Sequence, residues 1–223
     1  MIEQKIIDLA CNRLPVEMII KTDSVLQPDL YTKNFDYSFV IILQKVNQTN
    51  LDILHLLKKD IQKKLGLNVS FEVLTNGEFR LIPKKKHSFL SALLTIYVKL
   101  GRAKVVYQSN NLVGWVDVDK DNICFASSLC SQELVEAFRK MFLKARFVSK
   151  EIESDIISQK KIHKIVEQEV IIAQNILSTK NNEGLFDRIN KLLSLPSNKV
   201  NYSWLDSIFG LSEELHSMVI NNE

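Results

Sequence analysis

Three groupings of residues in this chain have the types and spacing that chemistry uses. Asp117-x-Asp119-x-Asp121-Asn122 alternates carboxylates as the start of a calcium loop does. Its glycine position is Asn122 and its closing glutamate position is Ser128, so a polar hairpin turn is the expected reading. Lys84-Lys85-Lys86-His87 with Arg80, and Lys160, Lys161 and Lys164, could meet phosphates or an acidic partner. No aromatics interleave with them to form a stacking platform, which favours solvated surface. The third grouping is Asp36-Tyr37-Ser38, a carboxylate and a hydroxyl two residues apart at the mouth of the apolar run Phe39-Val40-Ile41-Ile42-Leu43. Read by itself, an Asp at a strand entrance caps a turn.

Other familiar constellations are missing. His55, His87, His163 and His216 fall on different elements without ligand spacing, and solvated faces account for them. Cys11, Cys124 and Cys130 match no zinc pattern and are expected as buried, reduced thiols. No Ser-His-Asp grouping is recognisable.

The elements that must carry these residues follow from composition and periodicity. With 223 residues and 46% hydrophobic content the chain can build one large core or two small ones. A net charge of +3 imposes no polyanion-binding field, so nucleic acid is neither demanded nor excluded. Met1 to Lys5 opens an amphipathic helix with Ile6, Ile7 and Leu9 and lacks a signal or membrane-spanning segment, so the expectation is a cytoplasmic protein without membrane attachment.

A helix over about 3–13 is closed by Pro15. A strand over 16–21 and a Pro28-containing loop lead to a second strand over 37–43, apolar on both faces like a central strand. Leu51, Leu54, Leu57, Ile61 and Leu65 make an amphipathic helix that Gly66 caps, with Lys58, Lys59, Lys63 and Lys64 on its other side. In the strand that follows, Val69, Phe71 and Val73 alternate with Ser70 and Glu72, giving one polar face. A loop at Asn76-Gly77, a helix over about 88–100, Gly101 and a strand over 103–107 come next. A hairpin pairing 115–118 with 123–125 closes this part. From Gln132 onward the pattern is helical, over about 132–147, 149–178, 184–194 and 202–220. The fold class is therefore α+β: a small mixed sheet with flanking helices in 1–131, then an all-α helical bundle in 132–223.

The order strand, loop, strand, helix, strand, helix, strand over roughly residues 5–110, with a bundle behind it, resembles the nucleotidyltransferase fold of the DNA polymerase beta superfamily, in the size range of its minimal and antibiotic-modifying members. In that family the first strand ends in Gly-Ser, the second carries Asp-x-Asp and the third supplies another carboxylate. Here those positions are Asp23-Ser24, Asp36-Tyr37-Ser38 and Ser70, so that only Ser24 and Asp36 match. The family's helix–Gly–strand passage ending in Tyr is present as Leu100-Gly101 through Tyr107.

Such chemistry depends on positioning and charge neutralisation, with Mg²⁺ held by carboxylates and by the nucleotide's phosphates. Ser38 and Ser70 withdraw two anionic ligands from a cation site, and at an effective dielectric of about 20 each close charge pair is on the order of 4 kcal/mol. Asp23 puts a side chain and a like charge where the family uses Gly to approach phosphate. The resemblance thus implies a degenerate site and a non-catalytic binding or regulatory module, a pseudoenzyme, with the helical bundle offering a surface for a protein partner or self-association. The alternative it leaves open is a divergent transferase moving a nucleoside monophosphate to a small molecule or protein. In that case Asp36 and Glu72 would hold Mg²⁺, and Ser24 would touch the phosphates of a nucleoside triphosphate. Read without the family, Ser24 ahead of Pro28 is a turn residue. The bundle also resembles the helical substrate or toxin-type domains coupled to such transferases; it lacks the Arg-x4-His of ribonuclease-type bundles, which implies no RNA cleavage.

Overall fold

The computed structural model describes residues 2–23, 26, 34–79, 89–109, 120–148, 156–177, 179–195 and 202–221. Ser24, the Lys84–His87 run with Arg80, Asp117, Asp119 and the expected strand at 115–118 lie outside them. The chain divides into two compact units, Met1–Val118 and Asp119–Glu223.

In the first unit the order is α1 (Ile2–Cys11), β1 (Val16–Thr22), β2 (Tyr37–Leu43), α2 (Gln48–Leu65), β3 (Val69–Thr75), α3 (Asn76–Phe79), α4 (Phe89–Lys99) and β4 (Ala103–Gln108). The four strands form one mixed sheet in the order β3-β2-β1-β4. Strand β1 runs antiparallel to β2 and to β4, whereas β2 and β3 are parallel and need the α2 crossover between them.

Helix α2 forms because its apolar residues recur at helical spacing and both its ends are satisfied. Asn47 accepts from the Asn50 amide at the start, and Gly66 closes the end in the left-handed region at φ 69°, its amide bonded to Gln62 O. The helix buries Leu54, Leu57 and Ile61, each worth roughly 2 kcal/mol. Together with Ile6, Ile7 and Ala10 of α1 they cover Ile19, Phe39, Ile41, Leu43 and Val69 on one face of the sheet. The other face of β2 is equally closed, with Val40 and Ile42 at zero exposure, which explains why this strand is apolar throughout.

The second unit is helical: α5 (Lys120–Val148), α6 (Ile156–Ile176), α7 (Thr179–Leu193) and α8 (Tyr202–Ile220). Helices α5, α6 and α8 pack on one another, and α7 lies against α6 and α8. Leu134, Val135 and Phe138 of α5, Ile165, Val166 and Ile172 of α6, and Leu205, Ile208 and Leu215 of α8 are buried.

Several expectations are corrected. Ile123–Phe125 is not a strand, and Asp121-Asn122 is not a hairpin turn; both lie in α5. The run is too short to tell helix from strand by period, and it continues without a breaker into the helical pattern after Gln132. The boundary expected at 131 accordingly falls inside α5. Asn76-Gly77 begins a helical turn instead of a loop, because Thr75 and Glu78 make a capping box: the Glu78 amide donates to Thr75 Oγ1 at 3.2 Å, and the Thr75 amide donates to Glu78 Oε2 at 2.7 Å.

Candidate functional site

The Asp-x-Asp-like segment and the third strand meet as direct neighbours. In the parallel β2–β3 pair Ser38 stands beside Ser70, and in the antiparallel pair Thr22 stands beside Ser38. Three hydroxyl residues therefore form one row across β1, β2 and β3, with exposures of 4% for Thr22, 7% for Ser38 and 1% for Ser70. Thr22 Oγ1 donates to Ser38 O over a long 3.5 Å, and Ser70 Oγ has no hydrogen-bond partner among the described residues. The row carries no formal charge.

Alternation along β3 puts Glu72 on the same face, one row further in, beside Val40 and Ile20. The face expected to be polar is in fact buried, and Glu72 is 3% exposed. Its carboxylate accepts from the Leu26 amide at 3.0 and 3.3 Å. Leu26 itself has no exposed surface. Glu72 thus holds the chain that leaves β1, a task its alternation pattern did not announce because the partner is a backbone amide 46 residues away.

Asp36 serves a different purpose. Its Oδ2 accepts from the Asn68 amide at 2.7 Å, while its own amide donates to Asn68 O at 2.8 Å. This reciprocal pair extends the β2–β3 ladder by one step, so Asp36 caps across strands and not through its own turn. Glu72 pairs with Val40, four positions beyond Asp36, an offset of about 13 Å along the strands. Mg²⁺ needs ligand oxygens about 2.1 Å away. The structure does not bring Asp36 and Glu72 together, and each carboxylate is turned toward a different amide.

Asp23 stands beside Arg102, Oδ2 to Nη1 at 3.6 Å, and its amide donates to Arg102 O at 3.1 Å. This contact fastens the end of β1 to the turn before β4. Among the described residues no group of three or more His, Cys, Asp or Glu is arranged to hold a metal ion. Nor is any described helix long and apolar enough to cross a membrane.

The second unit has its own polar features, which the sequence did not mark. His163 and His216 are half-buried instead of solvated: the His163 ring lies 5.4 Å from that of Trp204, and His216 Nδ1 is 2.8 Å from Ser131 Oγ. Burial lowers the pKa of both imidazoles. A cleft of about 660 Å³ between α7 and α8 is lined by Leu192, Leu195 and Leu211 with Arg188, Lys191 and Glu214, and none of the sequence-predicted residues lines it.

Comparison with protein-family models gives no match, and no curated protein matches the chain. Among solved structures, a nucleotidyltransferase-like protein from Exiguobacterium sibiricum aligns over 99% of this chain and 74% of its own, at 12% identity and a TM-score of 0.32. A likeness that distant carries no argument about this site.

Proposed function

We propose that this protein is a nucleotidyltransferase-like module whose cation site has degenerated, and that it binds or regulates instead of transferring nucleotides. The single observation behind this reading is an uncharged pair buried beside Thr22: Ser38 and Ser70 occupy the strand positions where the family resemblance would put metal-binding carboxylates. Phosphoryl chemistry needs anionic ligands to anchor the cation that neutralises the triphosphate. Asp36 and Glu72 are spent on the amides of Asn68 and Leu26. On this reading Mg²⁺ and a nucleoside triphosphate are not obligatory cofactors, and the helical unit meets a protein partner or a second copy of the chain. Three cysteines outside any disulfide, Cys11, Cys124 and Cys130, suit a cytoplasmic setting.

The experiment combines titration calorimetry with an assay of label transfer. Purified protein with Mg²⁺ or Mn²⁺ and an α-labelled nucleoside triphosphate is expected to transfer no label. Any nucleotide binding is expected to be indifferent to metal and to Asp36→Ala and Glu72→Ala in folded variants. Metal-dependent binding and label transfer, both lost in Asp36→Ala and Glu72→Ala while Ser24→Ala weakens binding, would establish the divergent transferase instead.

A further inference from the structure

Helices α5, α6 and α8 enclose a carboxyl group for which the sheet's chemistry has no use. Glu169 of α6 is 2% exposed, and its Oε2 accepts from Ser212 Oγ of α8 at 2.5 Å. Its Oε1 has no hydrogen-bond partner among the described residues. The cation placed to neutralise it is committed elsewhere: Arg139 of α5 donates through Nε at 2.7 Å and Nη2 at 2.6 Å to the two oxygens of Glu213 on α8.

We propose that Glu169 is a proton-controlled latch on the bundle, which stays closed over a neutral carboxyl and loosens between α6 and α8 when that proton is lost to solvent.

The groups around it set the sense of this device. From α5 come Arg139, which favours the charged form, and Glu136, which shares the field of Arg139. From α8 come Ser212, whose hydrogen bond favours the carboxylate, Glu213, which opposes it, and His216 beside Glu213. On α7, Arg188 is turned to Glu214 of α8 at 3.7 Å. Burial outweighs the favourable contacts and lifts the Glu169 carboxyl to about 8. An ionised Glu169 would keep one hydrogen bond and one bare oxygen in an apolar interior. Such a charge is relieved more cheaply by admitting water than by staying closed. The histidines do not compete in this window, since burial moves both below the ordinary imidazole range.

Trp204 reports on the same interface, being 3% exposed with its ring against His163 of α6 and its Nε1 donating to Leu192 O at 2.9 Å. The test uses the full chain carrying Trp115→Phe, which leaves Trp204 as the sole indole. Its fluorescence and the near-ultraviolet circular dichroism are followed from about pH 6.5 to about pH 9.5. A red shift with loss of near-ultraviolet signal is expected as pH rises, with a midpoint at or below about 8 and little change in helix content. Glu169→Gln should remove the transition. Ser212→Ala, which deletes the hydrogen bond favouring the carboxylate, should move the midpoint upward, and it provides a second arm if Glu169→Gln does not fold. A flat signal in the parent, an unchanged transition in Glu169→Gln, or a midpoint that Ser212→Ala leaves in place or lowers would overturn the proposal.

Discussion

Ser38 and Ser70 are direct partners across the parallel β2–β3 pair, both buried on the same face of the sheet. Parallel neighbours lie about 4.8 Å apart, a separation that suits two carboxylates sharing one divalent ion. Replacing both by Asp should therefore create a cation site. Without metal the double variant is expected to melt well below the parent, because two like charges are forced into a buried row. Adding Mn²⁺ should restore much of the loss, while the parent and either single variant show no metal-dependent shift in thermal melting. A double variant indifferent to Mn²⁺ would mean that the row does not converge as its register implies.

Ser70 Oγ is buried and unpartnered among the described residues, so its hydroxyl stays desolvated without return. Ser70→Ala should leave stability unchanged or raise it by up to about 1 kcal/mol in urea unfolding. A loss of more than about 1 kcal/mol would show that the hydroxyl has a hydrogen-bonding task.

Asp36 acts on the Asn68 amide, which an amide oxygen can also satisfy. Asp36→Ala should lower stability by about 1 kcal/mol, and Asp36→Asn should recover most of that. Neither should alter nucleotide binding. Equal defects in both variants, measured by chemical unfolding, would point to the charge and away from the cap.

Glu169 makes stability depend on pH in a fixed direction. Its folded-state pKa of about 8 lies above the ordinary carboxyl value of 4.5, so between those values the folded chain holds a proton that the unfolded chain has released. Stability is then highest on the acid side of this window and falls by about 1.4 kcal/mol per pH unit as pH rises through it. Glu169→Gln should flatten that slope and be the more stable protein at neutral pH. Urea midpoints recorded across the window would decide, and parallel slopes in the two proteins would exclude this role.

The sheet was legible in the sequence because its signals are local. Leu54, Leu57 and Ile61 repeat at helical spacing, Gly66 supplies the left-handed cap, and Phe39 to Leu43 run apolar because both faces of β2 are covered. The alternation that put Ser70 and Glu72 on one face was also correct, and so was the fold class, a small mixed sheet with flanking helices and further helices after it. The strand expected at Ile123–Phe125 failed because three apolar residues carry no period of their own.

What the tertiary structure decided concerns partners far apart in the chain. Asp36 and Glu72 look alike as free carboxylates on paper; one is bonded to an amide 32 residues on and the other to an amide 46 residues back. The seclusion of Glu169 also arises only when α5, α6 and α8 close around it. Periodicity fixes which face of an element a side chain occupies, since that follows from backbone geometry alone. Whether the face meets water, an amide or a charge depends on which distant element packs there, and that sets the free energy of every ionisable group on it.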